Sequence, residues 1–508
     1  MIEQLSTLDF LSHLRGLDIH LSVQDDRLAC SAPKGILNPE LTAELKARKP
    51  EILEFLRTST HSSVSNTPIV PVHRDGQLTP SLAQQRLWFL EQFDQDSIAY
   101  NMPFGLRFRG VLDQDALRRG FQEVIRRHEI LRTRLINVNG VPKGSVQAAA
   151  DWNLEVRSLL ETPALQREDE LKRIVDEAVR RKFDLTLDVL VRACLVELGA
   201  EDHALIVTIH HIAADGQSVA IFTSELTHLY DAFHSGQVSP LPDLVLQYSD
   251  YADWHRQIVD NGVFESELLY WRKQLAGPLP VTEIPTDRPR HATMTYRGAV
   301  GRHMLDADIH QALRGFATAR KTTTFVVLLA ALKILLFRYT SQSDVIVGSA
   351  TAGRGRKELE GIMGLFINNL VLRTDLSGQP TGEDVIARVR DTVLNAFANE
   401  NVTLDRLLDV LKPDRELNRS PLFQVMFILH NGSKTWHKLP GLTIEPLEFD
   451  PGTTRYDFTI EAFEDEDHKL QLVWQYNTDL FDSSTIERMQ QCYVQILEQL
   501  MAQPQLPI

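Results

Sequence analysis

Apolar and polar positions change period several times along the chain. In "STLDFLSHLRG", Leu8, Leu11 and Leu14 share a helical face, and Gly16 stops the run. Ile19, Leu21 and Val23, then Leu28, Cys30 and Ala32, alternate on either side of Asp25-Asp26, which predicts a hairpin. Asn38 and Pro39 read as an N-cap followed by proline at the first helical position, opening a helix with Leu41 and Leu45. Pro50 opens another, with Ile52, Leu53 and Leu56. This α-β-β-α-α pattern over residues 1–57 gives a core too thin for an enzyme and suits a binding module. Residues 58–76 are rich in Ser, Thr and Pro without a period and read as a linker.

Beyond the linker, helical and strand periods mix to the end, without repeats. "ALIVTIHH" alternates, so Ile206, Thr208 and His210 face one way while Leu205, Val207, Ile209 and His211 face the other. Val219, Phe222, Leu226, Leu229 and Phe233 then recur at helical spacing, so "AADGQ" is the turn between strand and helix. "FVVLLAALKILLF", Phe325 to Phe337, has 13 residues with Lys333 inside, which is too short to span a bilayer and predicts a buried helix. Four prolines between Gly277 and Gly298 mark a second, weaker seam.

Composition narrows the partners. The 508 residues suffice for two or three domains, and 43 % hydrophobic with 24 % charged residues describes an ordinary globular chain. A net charge of −15 argues against a nucleic-acid surface and leaves small molecules and proteins as partners. Cys30, Cys194 and Cys492 fit neither a disulfide framework nor a metal spacing, so a reducing cytoplasm is expected. The acidic N-terminus lacks the basic start of a secretion signal, and no membrane association is expected.

The paired histidines carry the candidate chemistry, and three readings compete. Both are core residues with satisfied hydrogen bonds, and Asp215 caps the next helix. Or they bind a metal, although adjacent strand histidines diverge and no further ligand cluster is near in sequence. Or one of them works as an acid–base or positioning group at a strand end. Gly216 permits the tight turn, and Asp215 can orient a histidine or pair with an arginine. With no GxSxG elbow, Walker loop, HExxH or GxGxxG, direct transfer to an acceptor fits better than a covalent acyl-enzyme.

"HHIAADG" resembles the HHxxxDG motif of condensation domains of nonribosomal peptide synthetases, within the chloramphenicol acetyltransferase-like superfamily. "SLAQQRLWFL" (Ser81 to Leu90) is similar to the family's opening motif and "RRHEILRTRL" (Arg126 to Leu135) to the second. "YSDYADW" (Tyr248 to Trp254), "MGLFINNLVLR" (Met363 to Arg373) and "RELNRSPLFQ" (Arg415 to Gln424) resemble the fourth, fifth and last. Residues 1–57 resemble TubC-type docking domains, which grip a C-terminal segment of an upstream synthase.

The resemblance implies an α/β (α+β) fold of two acetyltransferase-like lobes in a V around a central tunnel. The N-lobe is expected over 77–255 and the C-lobe over 256–508. It implies amide-bond formation between a donor acyl thioester and the amine of a carrier-bound aminoacyl thioester. Both substrates would ride on the 4'-phosphopantetheine arms of partner carrier domains, with no bound cofactor and no metal. His211 would face the tunnel as a base or positioner, and His210 would support it from behind. Asp215 would form a structural ion pair with Arg354, and the N–H near Gly216 would help stabilise the oxyanion.

Several positions depart from the family pattern. Gln217 stands where many members have tryptophan, Asn369 replaces the usual threonine, and "NENVTLD" (Asn399 to Asp405) only weakly matches the sixth motif. Two other readings remain: a starter domain taking a fatty acyl group from acyl-CoA or an acyl carrier protein (lipoinitiation), and a non-catalytic carrier-docking scaffold. No adenylation or carrier-serine motif lies in the chain, so downstream adenylation and carrier domains of a larger synthetase are expected to supply loaded substrates.

Overall fold

The computed structural model describes residues 67–508 apart from 75, 94–96, 150–151, 415, 431–438, 440 and 466–468. Ahead of residue 67 it describes 20–24, 27–31, 39–49 and 52. In the N-terminal unit, β1 (His20–Gln24) and β2 (Arg27–Ser31) form an antiparallel hairpin, with Val23 opposite Leu28 and Leu21 opposite Cys30. The helix Pro39–Ala47 follows, with Leu41 and Leu45 buried. The expected helix around Leu8 to Leu14, and Leu53 and Leu56 of the last one, lie outside the described residues.

Two larger sheets define two lobes. In the first half run β3 (Asn101–Arg109), β4 (Thr133–Val138), β5 (Val141–Val146), β6 (Glu155–Ser158), β7 (Val191–Gly199) and β8 (Asp202–His210). The second half contributes β9 (Gly298–Leu305), β10 (Asp344–Thr351), β11 (Asn368–Asp375), β12 (Val425–His430), β13 (Thr443–Pro446), β14 (Phe458–Glu464) and β15 (Leu470–Asn477). The first lobe's five-stranded sheet has the order β13-β3-β8-β7-β6, and the second lobe's six-stranded sheet the order β11-β10-β12-β14-β15-β9. β4 and β5 pair separately as a ribbon.

β8 is apolar on both faces because both are covered. Leu205, Val207 and Ile209 join Phe121, Phe222, Leu226 and Leu229 in the main core. Ala204 and Ile206 meet Leu171, Ile174 and Val175 of the helix Arg167–Arg180 on the other side. In the second lobe the helix Thr324–Thr340 is buried on nearly every face. Its Lys333 donates hydrogen bonds to the carbonyls of Val345 (3.1 Å) and Leu372 (2.6 Å) where no water reaches it, and burial pushes the amine down to about 7. Among the described residues no single helix is long and apolar enough to cross a membrane.

The lobes are joined twice. β13 leaves the second half of the chain and pairs antiparallel with β3, Thr443 opposite Arg109 and Pro446 opposite Leu106. The second join is made by residues 352–366, where Arg354, Gly364, Leu365 and Phe366 bond to Asp215, Ser218 and Tyr248. Part of the expected linker is packed rather than free. Ile69 is buried, Val72 N–H and Arg74 both bond to Asp250, and the Thr67 carbonyl accepts from Trp254 Nε1 and Arg356. Ser, Thr and Pro content shows that residues 67–74 lack a period, but not that their backbone finds partners.

Candidate active site

β8 ends at His210, the chain turns through Ile212 to Ala214, and the helix Gly216–His234 begins with Asp215 as its N-cap. His211 N–H donates to the Tyr100 carbonyl at 2.8 Å, which holds the turn to the start of β3. The His211 imidazole is 6 % exposed, and its Nδ1 lies 2.7 Å from the Ala214 carbonyl oxygen. A carbonyl only accepts, so Nδ1 carries the hydrogen and Nε2 is left with a bare lone pair. Burial, and then the positive charge of Arg455, push this imidazole down to about 3, so it is neutral throughout the working pH range.

His210 is spent on the protein. Its Nδ1 accepts Ile212 N–H at 3.1 Å, so Nε2 holds the hydrogen and donates to Glu91 Oε1 at 3.3 Å. Phe183 packs edge-on against the ring. Both nitrogens are engaged, which leaves His210 a supporting role.

Asp215 is equally occupied. Its carboxylate accepts from Ser218 N–H (2.8 Å), Ser218 Oγ–H (2.7 Å), Phe366 N–H (3.0 Å) and both terminal nitrogens of Arg354 (2.8 and 3.1 Å). Arg354 and Asp215 side chains are 4 % and 2 % exposed, and the guanidinium stacks over the Phe366 ring at 4.2 Å. Asp215 therefore ties the histidine turn to the second lobe and has no acceptor capacity to spare for a substrate. Gly216 is exposed, with nothing within 4 Å of the place a Cβ would occupy. Its N–H and that of Gln217 have no acceptor within the helix, so the first turn presents donors to open space.

The family-like motifs surround this turn. From the helix Leu82–Phe93, Gln84 Nε2 donates to the Ile212 carbonyl at 3.1 Å and Glu91 holds His210. Arg127 and His128 both reach Glu225 on the helix Gly216–His234. Tyr248 OH donates to the Leu365 carbonyl at 2.7 Å and lies 2.8 Å from Ser81 Oγ. Asn368 clasps the sixth-motif segment, donating to the carbonyls of Glu400 and Val402 and accepting Leu404 N–H. Asn369 pairs across the sheet with Ala350 and takes no part in that clasp.

Sequence reasoning missed Ser218, Glu91 and Arg455. Ser218 was legible as the residue three after an N-cap aspartate; Glu91 and Arg455 approach from distant segments with no local signal. Among the described residues no group of three His, Cys, Asp or Glu side chains is placed to hold a metal ion.

The condensation-domain family model matches residues 75–508, and the TubC N-terminal docking-domain model matches residues 8–58. One of the linear gramicidin synthase chains of Brevibacillus parabrevis is 41 % identical over 430 residues, covering 84 % of this chain and 8 % of its own length. Chondramide synthase cmdD of Chondromyces crocatus is 37 % identical over 442 residues, 87 % of this chain and 11 % of its own. The chain thus spans about a tenth of these curated relatives. The X-domain from teicoplanin biosynthesis superposes with a TM-score of 0.79 at 28 % identity, covering 87 % of this chain and 98 % of that one. The starter condensation domain of rhizomide synthetase RzmA shares the fold, with a TM-score of 0.73 at 18 % identity, covering 85 % and 96 %.

Proposed function

The chain belongs to the condensation-domain family of nonribosomal peptide synthetases, with a TubC-type docking domain ahead of it, and from that premise we propose how it works and on what. The condensation domain is an acyltransferase that forms an amide bond. The reading offered for this chain is that His211 receives the acceptor amine of an aminoacyl carrier and directs it at the donor acyl thioester. The observation that supports it is the His211 tautomer: Nδ1–H is fixed on Ala214, so the bare Nε2 can only accept a hydrogen.

The depressed basicity of His211 favours one of two roles. An α-ammonium loses its proton near pH 8, so about a tenth of the acceptor is already free amine at pH 7. Moving a proton from that ammonium onto an imidazole held near 3 is uphill by about five pH units, about 7 kcal/mol. His211 therefore binds the free amine by accepting one N–H and positions it. Once the C–N bond forms and the nitrogen becomes acidic, Nε2 relays the proton to the departing pantetheine sulfur without storing it. His210, Asp215 and Arg354 hold His211 and the turn in place, and the exposed N–H of Gly216 is a donor available to the developing oxyanion.

Donor and acceptor ride on the phosphopantetheine arms of carrier domains, with downstream adenylation and carrier domains loading the acceptor. The docking unit takes the C-terminal segment of an upstream synthase, which favours a peptidyl or polyketide donor over a fatty acyl starter. A cytoplasmic setting fits the free Cys194 and Cys492.

The test is amide formation followed by intact-protein mass spectrometry, with aminoacyl carrier protein offered fatty acyl-CoA, peptidyl-carrier and polyketide-carrier donors. Product from the carrier-borne donors, reduced ~10²–10⁴-fold in folded His211→Ala, is expected. Equal product from both proteins removes His211 from the reaction. Acceptance of acyl-CoA alone makes the chain a starter domain, and no product from any donor leaves a carrier-docking scaffold.

A further inference from the structure

His211 can receive an amine only if the turn that carries it is held still, and one helix grips that turn at two points. Gln84 and Glu91 lie about two turns apart on the helix Leu82–Phe93, so they share a face of it. Gln84 is buried, and its Oε1 accepts Ser81 N–H at 3.1 Å. Its Nε2 is thereby left to donate to the Ile212 carbonyl, also at 3.1 Å. Glu91 is buried as well, and among the described residues its carboxylate has one side-chain partner, His210 Nε2 at 3.3 Å. A buried carboxylate costs free energy that packing alone does not return, so the reason for Glu91 lies in what it does to His210.

An imidazole with one hydrogen has one lone pair, and its neighbours decide which nitrogen has which. An ionised carboxylate only accepts, so Glu91 draws the His210 hydrogen to Nε2 and leaves the lone pair on Nδ1. That lone pair accepts Ile212 N–H at 3.1 Å. The other tautomer would set Nδ1–H against Ile212 N–H, donor against donor, and orphan a buried backbone group. Phe183, edge-on at 5.7 Å between centroids, packs the ring in place. Ile212 directly follows His211, and both its polar backbone groups are caught. Its N–H is held through Glu91 and His210, its carbonyl by Gln84. On the near side, His211 N–H is tied to the Tyr100 carbonyl at 2.8 Å and ring Nδ1 to Ala214 at 2.7 Å. With the peptides on both sides of His211 fixed, the direction of its bare Nε2 is fixed too.

We propose that Glu91 is a positioning residue for the condensation: by setting the His210 tautomer it secures the Ile212 peptide, and through that peptide it aims His211 Nε2 at the acceptor amine. The inference rests on the amide-forming function proposed above. Glu91 touches neither substrate nor reacting atoms, and no proton passes through it. Its effect is one of alignment, where a misplacement of about 1 Å lowers the rate ~10²-fold.

The test is a double-variant cycle on the full chain, read by the carrier-based condensation assay and by nitrogen NMR of the histidine rings. Glu91→Met removes the acceptor, and kcat is expected to fall ~10- to 10²-fold with KM for both carriers within about threefold of wild type. Glu91→Gln still presents an oxygen to Nε2–H, so kcat should return to within about threefold of wild type. His210→Asn supplies a side-chain oxygen that accepts the N–H two residues on and has no tautomer to choose. In that background Glu91→Met should cost less than about threefold. Equal losses from Glu91→Met in both backgrounds, or a loss confined to KM, overturn the inference. A wild-type His210 ring with its hydrogen on Nδ1 also overturns it, and an Nε2–H signature that is lost in Glu91→Met supports it. An inactive wild type overturns the proposed function and this inference with it, whereas an active wild type matched by Glu91→Met overturns the role of Glu91 alone.

Discussion

His210 and His211 are neighbours in the chain and opposites in chemistry. One has both ring nitrogens consumed by Ile212 N–H and Glu91; the other has one nitrogen fixed on Ala214 and one bare. A neutral His211 makes a distinct kinetic prediction. An imidazole titrating near 6.5 would cut the rate below that pH. With His211 near 3, the acid limb should instead follow the acceptor amine, rising about tenfold per unit up to about pH 8. Rate profiles with two acceptors of different amine pKa check this: the inflection should move with the acceptor. The ion pair behind the turn predicts a different loss. Asp215→Ala leaves the Arg354 guanidinium, 4 % exposed, without its carboxylate, a cost of about 3–5 kcal/mol. Removing Arg354 as well should return part of it, since the orphaned charge goes too. Urea unfolding of the single and double variants measures both. Any activity loss in Asp215→Ala then reads as lost structure.

At the scale of elements, strand alternation and helical period made much of this site legible. The alternation in β8 separated the two histidines, and the spacing from Val219 to Phe233 located the helix whose N-cap is Asp215. β13 was not legible: four residues, mostly exposed, whose partner strand lies far earlier in the chain, carry no local period. Residues 67–74 hid for the same reason, since what orders them is Asp250 and Trp254, which come much later. The second join between the lobes rests on close approach. A Cβ at Gly364 would lie 1.9 Å from the Tyr248 ring, whose hydroxyl is tied to Leu365 and Ser81. Gly364→Ala should therefore cost about 1–3 kcal/mol through the overpacked contact. Tyr248→Ala removes the obstacle, so the double variant should be less destabilised than the two single losses summed. Denaturant midpoints across that cycle give the coupling.

For the whole molecule, two buried histidines and the half-buried Glu267 shape how stability responds to acid between pH 6.5 and 4.5. Burial, then Arg455, lowers His211 to about 3, and burial, then Arg256, lowers His255 to about 4. Glu267 goes the other way: burial lifts its carboxyl to about 7 against the hydrogen bonds it accepts from Asn401. Between pH 6.5 and 4.5 the unfolded chain protonates both histidines and the native chain does not. Over the same window native Glu267 keeps a proton that the unfolded chain has released. Two minus one leaves one extra proton on the unfolded chain, so stability falls as pH drops, at about 1.4 kcal/mol per unit and about 3 kcal/mol over the window. His203, which burial lowers in the same direction, steepens the fall. Glu267→Gln removes the single opposing proton, so its stability should fall nearly twice as steeply across that range. Urea midpoints at constant m, measured for both proteins from pH 4.5 to 6.5, decide it. Parallel slopes would mean that native Glu267 is ionised and that the acid response belongs to the histidines alone.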